Sequence, residues 1–241
     1  MYHYIRNLKD SFYPDIKGIE TTEFEKHIKF LLDNKFKFIT ISDVKNACID
    51  EVALPEKSVL LTFDDAYIDH YINVFPILNE YGIQGCFYAP VKAITNHDVL
   101  DVNKIHFVLA KCSDKQVLVK RLFALLDEYR QDFELQSNEH YYKKLAVPNR
   151  WDTAEVIFIK RLLQVELPEN IRKIFTDILF KEYVTDNEAA FSRSLYMNKA
   201  QLKCMYRNGM HIGAHGYDHY WLNSLDAAQQ EFEIKKSSFR S

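Results

Sequence analysis

Short apolar runs and longer amphipathic stretches alternate along the first 95 residues of the chain. The apolar runs have strand length and are rich in β-branched and aromatic residues. Segment 58–63 is almost continuously apolar, which is typical of a strand that is buried on both faces. The alternation predicts βα units around parallel strands, with strands at residues 2–5, 36–41, 58–63 and 84–89.

Helix start and stop signals separate these strands. Thr22 and Glu25 have the spacing of a capping box and precede an apolar stripe, so a helix is predicted to begin at residue 22. Further helices are predicted over residues 43–49 and 72–81, and Gly82 is expected to end the second of these.

The middle of the chain has a different pattern, because strand-like runs nearly vanish from residues 98–197 and apolar positions such as Leu118 and Leu122 recur at helical spacing. The βα pattern returns with a helix capped by Asn198 and Gln201, a strand at 210–214 and a last helix over 226–238. We therefore predict an α/β fold in three parts, which are a βα part (1–97), a helical insertion (98–197) and a continuation of the βα part (198–241).

Composition and charge narrow the class of protein. The chain has 241 residues, 47% of them hydrophobic, and a formal charge of −3, so it can bury a large core and offers no overall basic character for binding nucleic acid. Its apolar runs are too short for a transmembrane segment, and the N-terminus does not resemble a cleaved signal. Four cysteines without a CxxC pair fit reduced thiols. A cytoplasmic location follows as an expectation.

Two local patterns carry candidate chemistry, and both follow predicted strands. Asp64 and Asp65 end the strand at 58–63, whereas His215 and His219 follow the strand at 210–214. Two imidazoles and one carboxylate make a set of ligands that leaves positions open on a divalent metal. Adjacent carboxylates repel each other, so a metal on Asp65 would leave Asp64 to accept a proton.

Each pattern has an ordinary alternative. The two aspartates at a strand end could simply cap the next helix, and an HxxxH spacing arises by chance on helices. Their order along the chain, on the expected types of element, favours the metal site over two unrelated features.

These residues and their flanks resemble the polysaccharide deacetylases of carbohydrate esterase family 4. The resemblance rests on Thr-Phe-Asp-Asp at 62–65 and on His-Gly-Tyr-Asp-His at 215–219. Segments that also resemble the family's framework are the Met-Tyr-His start and residues 61–67, 74–78, 87–88 and 209–222. The likeness covers about residues 1–95 and 198–241, and the helical insertion lies outside it.

The resemblance implies a distorted, incomplete (β/α) barrel of parallel strands and the removal of an acetyl group from an N-acetylated sugar. By position, Asp64 matches the family's general base, and Asp65, His215 and His219 match its ligands for one divalent metal, usually zinc. The implied partner is an N-acetylated carbohydrate substrate, with a role in cell-surface carbohydrate biosynthesis. The sequence leaves the oligomeric state open.

The chain also departs from the family pattern. Residue 66 is Ala where the family usually has Gly, and residue 216 is Gly where Ser or Thr is common. The family's later motifs, including the histidine that serves as general acid, are not found after His219. We therefore expect the C-terminal part of the family domain to be missing.

Four residues near the two patterns are candidates for binding substrate, namely His3, Tyr217, Tyr220 and Trp221. His3 lies in the first predicted strand and could instead be an ordinary strand histidine. The three aromatic residues could stack on a sugar ring or pack in the core.

Two other functions remain open at this point. One is hydrolysis of a different carbon–nitrogen bond on the same fold, as in allantoin or formamide chemistry. The other is a carbohydrate-binding remnant without catalysis, which the missing late motifs would favour.

Overall fold

The computed structural model describes residues 1–237, which form two compact units. The first unit contains residues 1–10, 17–98 and the described residues from 189 onward. The second contains residues 11–16 and 99–188. The predicted insertion, 98–197, shares residues 99–188 with this second unit. It differs in that residues 189–197 lie in the first unit and the short segment 11–16 lies in the second.

The first unit combines parallel strands with helices. Its strands are β1 (Lys37–Phe38), β2 (Ser58–Val59), β3 (Leu61–Asp64), β4 (Gly85–Ala89) and β5 (His211–Ala214). Its helices are α1 (Thr21–Asp33), α2 (Ile41–Ile49), α3 (Phe75–Glu80) and α4 (Val91–Thr95), then α10 (Glu188–Leu195), α11 (Lys199–Arg207) and α12 (Ala227–Lys236). The first residue of α10, Glu188, belongs to the second unit. A π-helical turn, His70–Val74, leads into α3, and a short 3-10 helix spans Leu222–Ser224.

The strands form two parallel sheets, β1–β2 and β3–β4–β5. In the larger sheet Asp64 pairs with Tyr88, and Tyr88 pairs with Gly213. The carboxyl ends of β3 and β5 therefore lie at the same edge, on either side of β4. Tyr2 extends the outer side of β3, because its N–H donates to the Thr62 carbonyl at 2.8 Å and its carbonyl accepts from the Asp64 N–H at 3.1 Å.

Three strand predictions differ from the structure. Of segment 36–41 only Lys37–Phe38 forms a strand, and Ile41 already begins α2. The other two segments are extended chain that pairs differently from the prediction. Segment 58–63 divides into β2 and β3, which belong to different sheets. Segment 2–5 forms single bridges only, from Tyr2 to Phe63 and from Ile5 to Ile19. The apolar pattern identifies buried extended chain in both places, but it does not say which neighbour provides the hydrogen bonds.

The predicted helices are present with shifted ends. Helix α1 begins at Thr21 without a side-chain cap, so the proposed Thr22 and Glu25 capping box does not form. The capping box of Asn198 and Gln201 on α11 does form, and Gly82 has the left-handed backbone (φ +65°) expected after a helix. The predicted end of the last helix, residue 238, lies outside the described residues.

The second unit is helical over residues 99–188. Its helices are α5 (Asp101–Lys111), α6 (Lys115–Tyr129), α7 (Asn138–Leu145), α8 (Ala154–Arg161) and α9 (Glu169–Tyr183). Lys104 on α5 is almost fully buried, and its ammonium pairs with Asp177 at 2.5 Å and Glu188 at 2.8 Å. These two carboxylates compensate the cost of burying the charge.

The core of the first unit lies between the three-stranded sheet and its helices. Aromatic and aliphatic side chains fill it, and the members include Phe24, Ile28, Phe63, Leu78, Phe87 and Met205. The predicted α/β class with parallel strands is confirmed, and the strands do not close into a barrel within residues 1–237. No helix in that range has both the length and the apolar character needed to cross a bilayer.

Candidate metal centre

The two sequence patterns meet at the carboxyl edge of the three-stranded sheet. Asp64 is the last residue of β3, and Asp65 follows it with a left-handed backbone (φ +70°). Ala66 is also left-handed (φ +52°) and fully buried. Left-handed backbone is costly for residues with a Cβ atom, and such conformations cluster at functional sites. This turn lets Asp65 face the end of β5.

The structure brings the side chains of Asp65, His215 and His219 together. The two Nε2 atoms are 3.0 Å apart, and they lie 3.5 Å (His215) and 3.4 Å (His219) from Oδ1 of Asp65. Four-coordinate zinc with bonds of about 2.0–2.2 Å places its ligand atoms about 3.4 Å apart. The three atoms therefore have the spacing of one face of a zinc tetrahedron, and their chemistry fits that ion.

The carboxylate of Asp65 has one satisfied oxygen and one that lacks a hydrogen bond. Oδ2 accepts from the Tyr67 hydroxyl at 2.6 Å, whereas buried Oδ1 has no hydrogen-bond partner within residues 1–237. A buried polar atom without a partner is unusual in a native protein. Burial raises the pKa of Asp65, but His219, Tyr67 and His215 outweigh it and hold that pKa below its ordinary value. Oδ1 is thus a charged acceptor directed at the two imidazoles.

The segment from His215 to His219 turns back on itself, so both imidazoles face the same point. Gly216 (φ +75°) and His219 (φ +65°) have left-handed backbones. Glycine adopts this conformation without cost, which explains the residue at 216. Burial lowers the pKa of His219 and favours the neutral imidazole, the form that binds metals.

A carboxylate that sequence reasoning missed lies behind this turn. Glu233 on α12 is 3% exposed, and it accepts the backbone N–H groups of Tyr217 and Asp218 at 2.9 and 3.0 Å. The sequence of α12 does not predict that Glu233 is buried, because a glutamate in a mostly polar helix normally faces solvent.

Asp64 lies beside the three converging side chains and faces His3. Its Oδ2 is 3.9 Å from Nε2 of His3, whose side chain is 43% exposed. The pairing of Tyr2 with β3 positions the next residue, His3. The backbone carbonyl of His3 also accepts a hydrogen bond from Nε2 of His70 at 2.8 Å. The sequence-predicted general base and His3 are therefore adjacent.

Two polar residues under the site are structural. Asp69 is buried and pairs with Arg6 at 2.6 Å; burial nevertheless raises the pKa of its carboxyl. His70 is fully buried against Phe63 and Tyr67, and burial lowers its pKa to about 4. Both residues support the N-terminal segment that carries His3.

The three aromatic candidates for substrate binding differ in exposure. Tyr217 is half-buried with its ring edge-to-face against Phe232, at 5.5 Å between centroids. Tyr220 is also half-buried, whereas Trp221 is 68% exposed. Of the three, Trp221 is the most exposed.

Comparison with known proteins places these residues in a family. The profile of the family described as "Polysaccharide deacetylase" matches residues 51–124 and 172–240, which is more than half of the chain. The matched segments include both aspartates and both histidines of the site.

Individual relatives give the same family. "Putative polysaccharide deacetylase YxkH" of Bacillus subtilis is 36% identical over 72 residues, which is 30% of this chain and 26% of that protein. "Poly-beta-1,6-N-acetyl-D-glucosamine N-deacetylase" of Escherichia coli is 35% identical over 64 residues, 27% of this chain and 10% of that protein. The enzyme of the same name from Staphylococcus epidermidis is 25% identical over 203 residues, 83% of this chain and 62% of that protein.

The matched part of this chain thus spans less than two thirds of each of these relatives. The profile matches more than half of the chain, and the two aspartates and two histidines that it covers meet at one edge of a parallel sheet. This chain belongs to the polysaccharide deacetylase family.

Proposed function

We propose that this chain is a metal-dependent N-deacetylase that removes the acetyl group from an N-acetylated sugar. The observation that carries the proposal is the spacing of 3.0 to 3.5 Å among Oδ1 of Asp65 and the Nε2 atoms of His215 and His219. Asp65, His215 and His219 would hold one divalent ion, and zinc fits this donor set best.

The division of roles between the two aspartates follows from their surroundings. Asp65 is 3% exposed and directs Oδ1 at the imidazoles, so it serves as a ligand. Asp64 has a neighbouring position and lies outside that cluster, which leaves its carboxylate free to accept a proton from the attacking water. A bound divalent metal would lower the pKa of water and polarise the acetamide carbonyl.

The exposed groups around the site would hold the sugar. The half-exposed imidazole of His3 can exchange a hydrogen bond with a sugar hydroxyl beside Asp64. Trp221 offers an exposed ring for stacking, and Tyr217 and Tyr220 would border the same surface.

The proposed substrate is an oligomer of β-1,6-linked N-acetylglucosamine. Support comes from the names of the relatives in Escherichia coli and Staphylococcus epidermidis, the second of which aligns with 83% of this chain. Such a polymer would place the reaction in cell-surface carbohydrate biosynthesis.

The test is release of acetate from β-1,6-linked N-acetylglucosamine oligomers by the zinc-loaded protein, with the free amine followed by mass spectrometry. We expect turnover by the wild type and none by Asp64→Asn, which should keep its zinc because it loses the base and not a ligand. Asp33→Asn, a change at an exposed aspartate of α1, is the matched control.

Other outcomes would reassign the function. Hydrolysis of allantoin or formamide without acetate release would identify a different carbon–nitrogen bond as the target. Sugar binding by a folded, zinc-loaded protein without turnover would indicate a binding module. Loss of zinc from Asp64→Asn as large as from Asp65→Asn would show that the roles of the two aspartates are wrongly divided.

A further inference from the structure

One buried carboxylate on helix α12 is hydrogen-bonded to the turn between the two histidines. Oε2 of Glu233 accepts the N–H of Tyr217 at 2.9 Å and that of Asp218 at 3.0 Å, and Oε1 lies 3.2 Å from the same Asp218 nitrogen. Glu233 is 3% exposed, and no lysine or arginine pairs with it in the described part of the chain. A buried carboxylate without a cation is costly, so these backbone contacts are its compensation.

The residue at 216 makes room for this contact. A Cβ atom on Gly216 would lie 3.3 Å from Oε2 of Glu233, closer than most Cβ contacts in proteins. Its left-handed backbone (φ +75°) also favours glycine over residues that have a Cβ atom. Glycine at position 216 therefore leaves the space that the carboxylate of Glu233 occupies.

Carbonyl groups of the same turn accept hydrogen bonds from the segment after β4. The Val91 N–H donates to the Gly216 carbonyl at 3.3 Å, and the Lys92 N–H donates to the Tyr217 carbonyl at 3.1 Å. The ammonium of Lys92 also pairs with the Asp218 carboxylate. All three residues between the histidines are thus bound through backbone or side chain, and the two imidazoles remain free to face Asp65.

We propose that Glu233 is a positioning residue that sets the metal affinity of His215 and His219. It acts through the backbone of residues 217 and 218, which it holds in the conformation that places both Nε2 atoms near Oδ1 of Asp65. His219 has a strained left-handed backbone (φ +65°), and without Glu233 the turn would lose its contacts with α12 and could relax from this geometry. This inference rests on the proposed metal site.

The experiment measures Zn²⁺ affinity by competition with a chromophoric chelator in the wild type, Glu233→Gln and Glu233→Ala. Loss of a group that orients metal ligands typically weakens binding about 10- to 100-fold, which is the expectation for Glu233→Ala. Glutamine keeps one oxygen acceptor but sets an amide NH₂ against a backbone N–H, so it should weaken binding by an intermediate factor. The visible spectrum of the Co²⁺-substituted protein should change in the same order, because it reports ligand geometry.

Two controls separate positioning from general stability. Glu231→Ala removes an exposed carboxylate from the same helix and should leave Zn²⁺ affinity unchanged. Ile28→Val trims a fully buried side chain on α1, so it should lower the melting temperature without altering Zn²⁺ affinity.

The outcomes distinguish this inference from the proposed function. A folded wild type that binds no Zn²⁺ would reject the metal site itself. A wild type that binds Zn²⁺, with folded Glu233 variants that bind it equally well and give the same Co²⁺ spectrum, would overturn the role of Glu233 alone. If Glu233→Ala does not fold, Glu233→Gln decides, since wild-type affinity in that variant contradicts the proposal and weaker affinity supports it.

Discussion

The hydroxyl of Tyr67 donates a hydrogen bond to Oδ2 of Asp65 at 2.6 Å, two residues away along the chain. Tyr67 is fully buried, and its ring stacks against Tyr4 at 4.2 Å and Tyr196 at 6.1 Å between centroids. Burial raises the pKa of Tyr67 well above its ordinary value, so the hydroxyl remains a donor at any physiological pH. The hydrogen bond fixes the carboxylate with Oδ1 toward the histidines.

Tyr67→Phe tests this orientation. The change leaves one oxygen of a buried carboxylate without its donor, which should lower the free energy of unfolding by about 1–3 kcal/mol. Zn²⁺ affinity should fall about 10-fold, because the ligand is no longer oriented. Urea unfolding and chelator competition measure the two effects, with Tyr206→Phe at an exposed position of α11 as the control. Unchanged Zn²⁺ affinity in Tyr67→Phe would show that the hydrogen bond does not orient Asp65.

The positions of the four proposed site residues could be predicted from the sequence because parallel strands impose them. Asp64 and Asp65 end an apolar run, and His215 follows another, so both pairs had to lie at one edge of the sheet. The apolar pattern also separated the helical segment from the βα part. The pairing of the strands could not be predicted from this pattern, because residues 58–63 have the apolar pattern of one strand but belong to two sheets.

The residues that support the site could not be predicted in the same way. Glu233 lies in a polar helix, and its burial depends on tertiary contact with a turn 15 or 16 residues earlier. Tyr67 reads in the sequence as an ordinary core aromatic residue. Local propensity and periodicity report which face of an element is buried, and they do not report which backbone group a buried polar side chain will meet.

His70 predicts a specific dependence of stability on pH. Its Nε2 donates to the His3 carbonyl and its Nδ1 is buried without a partner in the described residues, so the folded state holds the neutral ring. Its pKa is about 4 when folded, against an ordinary value of 6.5. Between these values the unfolded chain binds the proton and the folded chain does not. The free energy of unfolding should therefore fall as the pH drops from 6.5 to 4, by about 3 kcal/mol in total from this residue.

The comparison of wild type with His70→Gln isolates that contribution. Glutamine can still donate to the His3 carbonyl but does not titrate, so the variant should lose less stability over the same range of pH. Urea unfolding in the presence of EDTA measures both proteins without bound metal. Parallel pH profiles for the two would contradict the assignment of a neutral, buried His70.

Trp221 is expected to contribute to substrate binding and not to the chemical step. The residue is 68% exposed and lies two positions after His219. Loss of one stacking contact costs about 0.5–1.5 kcal/mol, so Trp221→Ala should raise KM about 2- to 12-fold with kcat nearly unchanged. Trp151→Ala, which removes a similarly exposed ring from the second unit, should change neither constant. A fall in kcat alone for Trp221→Ala would argue against a role in binding.

Asp65, His215 and His219 are proposed to hold one divalent metal. Anomalous diffraction at the zinc absorption edge, from crystals soaked in Zn²⁺, would locate that ion. We predict one strong peak per chain within about 2.0–2.2 Å of Oδ1 of Asp65 and of both histidine Nε2 atoms. A map without a peak at that point, while the three side chains keep their present positions, would show that these residues are not the ligands of a metal.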